Sequence, residues 1–310
     1  MREFYHDRML IGLVHFMAFP ETGQGEGPLL ETLEEIAADE FFTAVEIRRP
    51  EEEGLEEAIR DISLSGRLAL GVASQPAILG GKLDLNSPDE AGRARAVQEL
   101  KETIDFAYKV GARLVTVMSG PDPGPAARPK AKDTLVKSLV EICEYAKAKA
   151  GDFLATISLE TFDRDIDKKS LIGPSQEAAE VAARVSSKVP NFGISLDLSH
   201  LPLLHETPTD ALTALGEHLI HAHAGNCVMR DPKHPAYGDM HPPFGIPGGE
   251  NGVEELRGWL EALVYSGYFG RPSPTGLPIL SFEVKPLPGQ SSQVAIANVK
   301  RTFLEAWARL

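Results

Sequence analysis

Cysteine is scarce in this chain of 310 residues, and long apolar runs are missing from it. Its two cysteines, Cys143 and Cys227, cannot form a disulfide framework, and no Cys-x-x-Cys pair of the zinc-binding type is present. No stretch reaches the roughly 18 consecutive apolar residues of a membrane span, and the run 9–14 is too short for a secretory signal. These absences predict a protein of the reducing cytoplasm without a membrane partner.

Basic residues are also in the minority. The chain has 31 lysines and arginines against 45 aspartates and glutamates, which gives a formal net charge of −14. The nearest approaches to a basic cluster, Lys130-Ala-Lys132 and Lys168-Lys169, are typical of solvated helix or loop faces. Because such a surface repels a phosphate backbone, nucleic acid is a disfavoured partner.

What the chain does contain is a regular alternation of short apolar runs with longer periodic segments. Eight such units follow one another without a linker, which predicts one domain over 1–310 with an α/β fold. A closed (β/α)8 or TIM barrel is favoured over a doubly wound open sheet, because only the barrel explains the polar strand ends described below. Strands are predicted at 10–16, 43–48, 67–73, 113–118, 153–160, 192–197, 218–223 and 278–283, and helices near 28–39, 54–63, 88–110, 130–150, 174–187, 208–216, 252–266 and 290–309.

The segment after the seventh strand departs from this rhythm. Residues 224–251 are rich in proline and glycine and have no helical period, so they predict a loop longer than a usual βα connection. Loops of this kind lie on the face of a barrel that carries the active site. We therefore expect this loop to cover the site.

The last four predicted strands each end on an acidic residue or a histidine: Glu160, Asp197, His223 and Glu283. A single residue of this kind is more often a surface or helix-capping group. Four of them on consecutive strands are different, because clustered carboxylates repel one another unless a cation neutralises them. Carboxylates with one imidazole suit a divalent cation, Mn²⁺ in the first place, with Mg²⁺, Co²⁺ or Zn²⁺ as alternatives.

Three further residues lie near these strand ends. His200 follows Asp197 by three residues and could bind the metal or a substrate hydroxyl, or cap the next helix. His221 shares the inward face of its strand with His223 and is expected to support that ligand from one layer deeper. Arg230, in the long loop, could hold a substrate oxygen or phosphate, or be a solvated loop residue.

Five more residues are candidates for the site. Asp239 and His241 lie two apart in the long loop, so they could bind a second metal ion or simply order the loop. His15 and Glu46, near the ends of the first two strands, and Lys285, near the end of the last strand, are candidate substrate-pocket groups. Ordinary strand-end polar residues would look the same.

Four short motifs carry a resemblance to a known family: Ser-Leu-Glu160, Leu-Asp197-Leu-Ser-His200, His221-Ala-His223 and Ser-Phe-Glu283. In them the chain resembles the xylose isomerase-like TIM barrel superfamily, the sugar phosphate isomerase/epimerase group that includes ketose 3-epimerases. The resemblance covers essentially the whole chain and implies one divalent metal on the four strand-end residues. It also implies sugar contacts by His200 and Arg230, although the family arginine comes one residue earlier, and a homodimer or homotetramer.

The Asp239-Met-His241 segment is similar to the Asp-x-His pair of endonuclease IV, a more distant relative that cleaves DNA at abasic sites. That enzyme needs further histidines after strands two to four for its three-zinc cluster. This chain has Ser74-Gln75 and Met118-Ser119 in the corresponding places, which disfavours a nuclease.

The predicted function is metal-dependent isomerisation or epimerisation of a carbohydrate: a sugar, a sugar phosphate or a related keto-polyol. Glu160 and Glu283 would remove and return a proton while the metal stabilises an enediolate. A lyase or C-glycoside-cleaving enzyme acting on an oxidised sugar would use the same chemistry. A phosphodiesterase with two or three metals and a binding module without catalysis are the remaining alternatives.

Overall fold

Eight parallel strands form a closed barrel in the computed structural model, which describes residues 5–310. The first strand pairs with both the second and the eighth, so the sheet has no free edge. This closure confirms the predicted (β/α)8 barrel and excludes the open sheet. The strands are β1 (Leu10–Val14), β2 (Ala44–Arg48), β3 (Ala69–Ala73), β4 (Leu114–Met118), β5 (Thr156–Glu160), β6 (Phe192–Asp197), β7 (Leu219–Ala224) and β8 (Ile279–Phe282).

Helices lie between the strands and cover the outside of the barrel. Three short ones, α1, α4 and α8, follow closely on β1, β3 and β6 and were not predicted, because four to six residues are too few to show a helical period. The helices are α1 (His15–Ala18), α2 (Leu29–Ala37), α3 (Glu56–Ser65), α4 (Gln75–Gly80), α5 (Glu90–Val110), α6 (Arg128–Lys149), α7 (Ser175–Ser186), α8 (His200–Leu204), α9 (Pro208–Leu215), α10 (Val253–Tyr265) and α11 (Ser292–Ala308).

The strands are apolar because both faces of the barrel sheet are covered. Every residue of β2 and of β4 is buried, as expected where side chains alternate between the barrel interior and the surrounding helices. The interior also contains a polar layer, in which Ser158 and Ser195 share a hydrogen bond of 2.6 Å. These two hydroxyls are paired, whereas Ser281 Oγ on β8 is buried without a hydrogen-bond partner in residues 5–310.

The segment between β7 and α10 is the long loop that the sequence predicts. Two buried amides fasten its base: Asn226 Oδ1 accepts a hydrogen bond from Asn251 N (2.8 Å), and Asn251 Nδ2 donates to the Gly225 carbonyl (2.9 Å). Asn226 Nδ2 also donates to the Pro243 carbonyl within the loop. The loop is thus held over the carboxyl end of the barrel by its own side chains.

None of the helices in residues 5–310 combines the length and the apolar character that crossing a membrane requires.

His15 is predicted to face the substrate pocket from the end of β1, but the structure places it elsewhere. It begins α1, is 1% exposed and does not line the cavity at the carboxyl end of the barrel. Its Nε2–H donates to Thr32 Oγ1 (2.7 Å), whose own hydroxyl donates to the Pro28 carbonyl. Burial lowers the pKa of His15 to about 4, so the ring is a neutral packing residue.

Because His15 is buried as a neutral ring, it should make the stability of the fold sensitive to acid. The unfolded chain protonates the ring near its ordinary pKa of 6.5, whereas the folded protein does so only near 4. The free energy of unfolding should therefore fall as pH drops through this window, by up to about 3 kcal/mol.

Urea unfolding at about pH 7 and pH 4.5 measures this loss. We expect the loss of unfolding free energy to be smaller in His15→Gln, which keeps a donor for Thr32. The loss should be unchanged in His205→Asn, which alters an exposed histidine. An equal pH dependence in the wild type and His15→Gln would contradict the assignment.

Candidate functional site

The four predicted strand-end residues meet at the carboxyl end of the barrel. Glu160 ends β5, Asp197 ends β6, His223 is the last residue but one of β7, and Glu283 follows β8 directly. All four are buried, and one ligand atom from each lies within 4.8 Å of the others. The arrangement could hold one cation.

Only one of the two carboxylate oxygens of Asp197 is held by backbone amides. Its Oδ1 accepts hydrogen bonds from Ser199 N (2.6 Å) and Gly225 N (3.0 Å). Its Oδ2 is buried and has no hydrogen-bond donor within residues 5–310. A buried carboxylate oxygen without a donor is costly, so this atom is available for a positively charged partner.

His223 lies between carboxylates on both sides of its ring. Its Nε2 is 3.0 Å from Glu46 Oε1, while its Nδ1 is 2.8 Å from Glu283 Oε1 and 3.3 Å from Glu160 Oε1. Burial alone would lower the pKa of His223, but these three carboxylates raise it well above its usual range. Nδ1 is thus a point where the protein favours positive charge, carried by a proton or by a metal ion.

Glu46 supports this ring from inside the barrel. It projects from β2 and is buried, and its Oε1 lies 2.8 Å from His221 Nε2 and 3.0 Å from His223 Nε2, which are 2.7 Å from each other. Burial would raise its pKa, but the two imidazoles hold it well below the usual range. A carboxylate that accepts Nε2–H leaves Nδ1 of His223 free as a ligand. His221 lies one layer deeper, where the sequence places it.

A second cluster adjoins the first. His200 Nε2 and His241 Nε2 lie 3.1 and 3.0 Å from Asp239 Oδ1, and His200 Nδ1 donates to the Thr161 carbonyl. Burial would lower the pKa of both rings, but Asp239 raises that of His200 to about 10 and, with Glu283, that of His241 to about 9. His241 Nε2 is also 3.2 Å from Glu283 Oε2, which links the two clusters.

Lys168 completes the second cluster and was missed from the sequence, where Lys168-Lys169 looks like a solvated face. Its Nζ lies 3.0 Å from Asp239 Oδ2 and 2.9 Å from Asp167 Oδ2, and its side chain is only 19% exposed. Burial opposes the charge, but both carboxylates raise the lysine pKa above its usual range. An ammonium therefore already neutralises the second oxygen of Asp239.

Asp163 holds Lys168 in place. Its buried carboxylate accepts hydrogen bonds from three successive backbone amides, those of Ile166, Asp167 and Lys168, at 2.7 to 2.8 Å. The chain between β5 and α7 is thereby folded into a turn that directs Lys168 towards Asp239. An Asp followed by a charged loop gives no sequence signal for this role.

A cavity of about 380 Å³ opens above the clusters. Glu46, Glu160, His223 and Glu283 contribute to its lining, and Gln75 Nε2, also in the lining, donates to Glu160 Oε2. Lys285, a candidate substrate-pocket group, also lies in the lining. The remaining wall is largely apolar.

Two candidate substrate contacts lie outside this cavity. Arg230 is 83% exposed and forms an ion pair with Glu250 (2.7 Å), as expected of a solvated loop residue. His200 is completely buried, with its ring 4.6 Å from that of Phe162, and Phe162 rather than His200 lines the cavity. Their positions therefore do not support a direct contact with substrate.

The fold and the polar ends of its strands define a barrel of the xylose isomerase-like type. The family model described as "Xylose isomerase-like TIM barrel" matches residues 35–271, and the chain belongs to this family.

Solved structures with the same fold cover nearly all of the chain. An IolI protein with a bound zinc atom is 15% identical (TM-score 0.72), with 97% of this chain and 99% of that one aligned. A D-tagatose 3-epimerase-like protein is 19% identical (TM-score 0.69), with the same coverage. D-psicose 3-epimerase from Clostridium cellulolyticum H10, solved with D-tagatose, is 20% identical (TM-score 0.61; 97% and 96% covered). No curated protein matches the sequence significantly.

The Asp163 turn can be tested by substitution. We expect Asp163→Ala to destabilise the turn by about 1.5–3 kcal/mol, because hydrogen bonds to a charged acceptor are lost. Amide hydrogen exchange at residues 166–168 should accelerate, whereas Asp165→Ala, at an exposed position of the same loop, should leave it unchanged. Unaltered exchange in Asp163→Ala would show that other contacts hold Lys168.

Proposed function

We propose that this protein is a divalent-metal-dependent isomerase or epimerase whose substrate is a sugar, a sugar phosphate or a related keto-polyol. The proposal depends on Asp197 Oδ2, a buried oxygen of the Glu160–Asp197–His223–Glu283 set that has no hydrogen-bond donor among residues 5–310. This set lies at a cavity large enough for a small molecule.

The donor set fits a divalent cation. Three carboxylates and one imidazole supply oxygen and nitrogen ligands, and their repulsion would be relieved by two positive charges. Mn²⁺ is the first choice, and Mg²⁺, Co²⁺ and Zn²⁺ have compatible ligand preferences. When bound, the cation supplies Lewis-acid stabilisation of the negative charge that develops on neighbouring substrate oxygens as a C–H proton leaves.

Glu160 and Glu283 are the groups proposed to move that proton. Both line the cavity, and each has one oxygen near His223 Nδ1 and the other oriented by a donor. The donor is Gln75 Nε2 for Glu160, and His241 Nε2 (3.2 Å) for Glu283. One carboxylate would remove the proton, and the other would return it to the same carbon or its neighbour.

Two structural relatives support this proposal. The D-psicose 3-epimerase structure contains D-tagatose, and the IolI structure contains zinc. A lyase or C-glycoside-cleaving activity would use the same first proton transfer, so the fate of the substrate in D₂O separates it from the leading proposal.

A multi-metal nuclease has less support. The fold of an AP endonuclease of family 2 from Brucella melitensis is similar (17% identity, TM-score 0.66, 95% and 98% covered). In this chain, however, Gln75 and Ser119 follow β3 and β4, and Ser119 Oγ accepts a hydrogen bond from Ile172 N. We propose that the cluster of His200, Asp239 and His241 orders the loop with the help of Lys168 and does not hold a second metal.

Solvent exchange tests the proposed reaction. With the metal-loaded protein in D₂O and a panel of carbonyl sugars, we expect an isomeric sugar that carries deuterium at the reacting carbon. Glu160→Gln and Glu283→Gln should each reduce the rate about 10²–10⁴-fold, because the amide cannot accept the proton. Glu52→Gln, at an exposed position, is the control.

The products decide between the alternatives. Release of a fragment would favour the lyase, and one bound ion without exchange on any sugar would favour a binding module. A normal rate in both glutamine variants would remove these residues from the mechanism.

The role of Lys168 predicts the metal stoichiometry. We expect the wild type to bind one divalent ion per chain, because the Lys168 ammonium already neutralises Asp239. Lys168→Met should bind a second ion, since it frees Asp239 Oδ2 beside two imidazoles. Elemental analysis and calorimetry measure both numbers, with Lys169→Met, at the exposed neighbouring position, as the control. Two ions in the wild type, or one in Lys168→Met, would contradict this role.

A further inference from the structure

The cavity is polar at the end that holds the proposed metal ligands and apolar around much of its wall. The apolar wall is formed by Phe16, Met17, Leu79, Phe162 and Met240 among others. Leu79 and Met240 are 46% and 37% exposed, so this wall opens to solvent. Along this wall a substrate would make contacts mainly through its C–H faces, so hydrogen bonds must come from the polar end of the cavity or from the few polar groups elsewhere in the lining.

Lys285 contributes a charged side chain to the lining of this cavity. Glu283 and Lys285 both line the cavity, while Val284 between them is buried, as expected for side chains that alternate along an extended segment. This spacing places Lys285 roughly 6–7 Å further out than Glu283. The Lys285 backbone N–H donates to the His241 carbonyl at 2.7 Å, so its position is fixed.

No ion-pair or hydrogen-bond partner of the Lys285 ammonium lies in the part of the chain that the structure describes. Within residues 5–310 it forms no ion pair or side-chain hydrogen bond, whereas Lys168, the other lysine of the lining, is paired with Asp167 and Asp239. The nearby carboxylates are already engaged: Glu283 lies against His223 and His241, and Asp239 against His241 and Lys168. A protein with a net charge of −14 thus leaves one half-buried cation of its cavity uncompensated.

We propose that Lys285 binds an anionic terminal group of the substrate, a carboxylate or a phosphate. The keto-alcohol part of the substrate would lie at the polar end of the cavity, the C–H faces of its middle carbons against the apolar wall, and the anion at Lys285. The proposal rests on the proposed function for the location of the reacting end. It adds that anionic substrates bind more tightly than neutral ketoses, so that the substrate class is an acidic keto-polyol or the phosphate ester of a keto-polyol.

Three probes with a ketone at C2 test this: D-fructose, D-fructuronate and D-fructose 6-phosphate, whose terminal groups are a neutral alcohol, a carboxylate and a phosphate. Calorimetry with the metal-loaded wild type should show at least one anionic probe binding about tenfold or more tightly than D-fructose, as expected for a hydrogen bond between charged groups. This preference should shrink as salt is added. Which anion is preferred identifies the terminal group.

Substitutions then assign the preference to one side chain. Lys285→Met should lose the preference for anionic probes but bind D-fructose as tightly as the wild type does. Unchanged binding of D-fructose would show that the cavity is intact. Lys285→Arg should retain most of it, and Lys233→Met, an exposed lysine of the long loop that does not line the cavity, should behave as the wild type. The proposal is wrong if D-fructose binds as tightly as the anionic probes, if none of the three binds, or if Lys285→Met keeps the preference.

Deuterium uptake on the same samples separates this inference from the proposed function. Loss of the anion preference in Lys285→Met without solvent exchange in the wild type would leave the anion site valid and the isomerase proposal wrong. Exchange into D-fructose with no effect of Lys285→Met would support the isomerase and overturn the anion site.

Discussion

Charge balance at the carboxyl end of the barrel is the constraint on which the site depends. Five carboxylates are buried there within a few side chains of one another: Glu46, Glu160, Asp197, Asp239 and Glu283. Burying a carboxylate without compensation costs several kcal/mol, so the fold can carry such a group only if positive charge lies within reach. Imidazoles and one lysine of this chain supply part of that charge. Glu160 and Glu283 share one imidazole nitrogen, His223 Nδ1, and Asp197 Oδ2 has no donor within residues 5–310.

The barrel explains why these groups are forced together. Parallel strands bring all their carboxyl ends to one face, and closure of the sheet makes β5 to β8 converge on one opening. The loops then complete the site: Asp163 folds the turn that carries Lys168, and Asn226 with Asn251 fastens the segment that carries Asp239 and His241. Rigid strands therefore supply the proposed metal ligands, whereas anchored loops supply the groups around them.

The site residues at strand ends could be predicted from the sequence, whereas those whose roles depend on the loops could not. Strands of a closed barrel are buried on both faces, so they stand out as apolar runs, and a polar residue at the end of each run points to the site. Lys168 and Asp163 carry no such signal, because their roles depend on the path of a loop. The structure overrode the prediction for His15, which begins a helix and packs on Thr32, and placed Arg230 in solvent.

The two clusters differ in what neutralises them, and this difference bears on function. The Lys168 ammonium lies 3.0 Å from the second oxygen of Asp239, so an ion pair within the chain compensates this charge. Asp197 has backbone amides at one oxygen and, within residues 5–310, no donor at the other. A site for an exchangeable cation needs this second kind of carboxylate, oriented in advance but not neutralised. The same reasoning, with the sign reversed, underlies the proposed role of Lys285, which lines the cavity and has no ion-pair partner within residues 5–310.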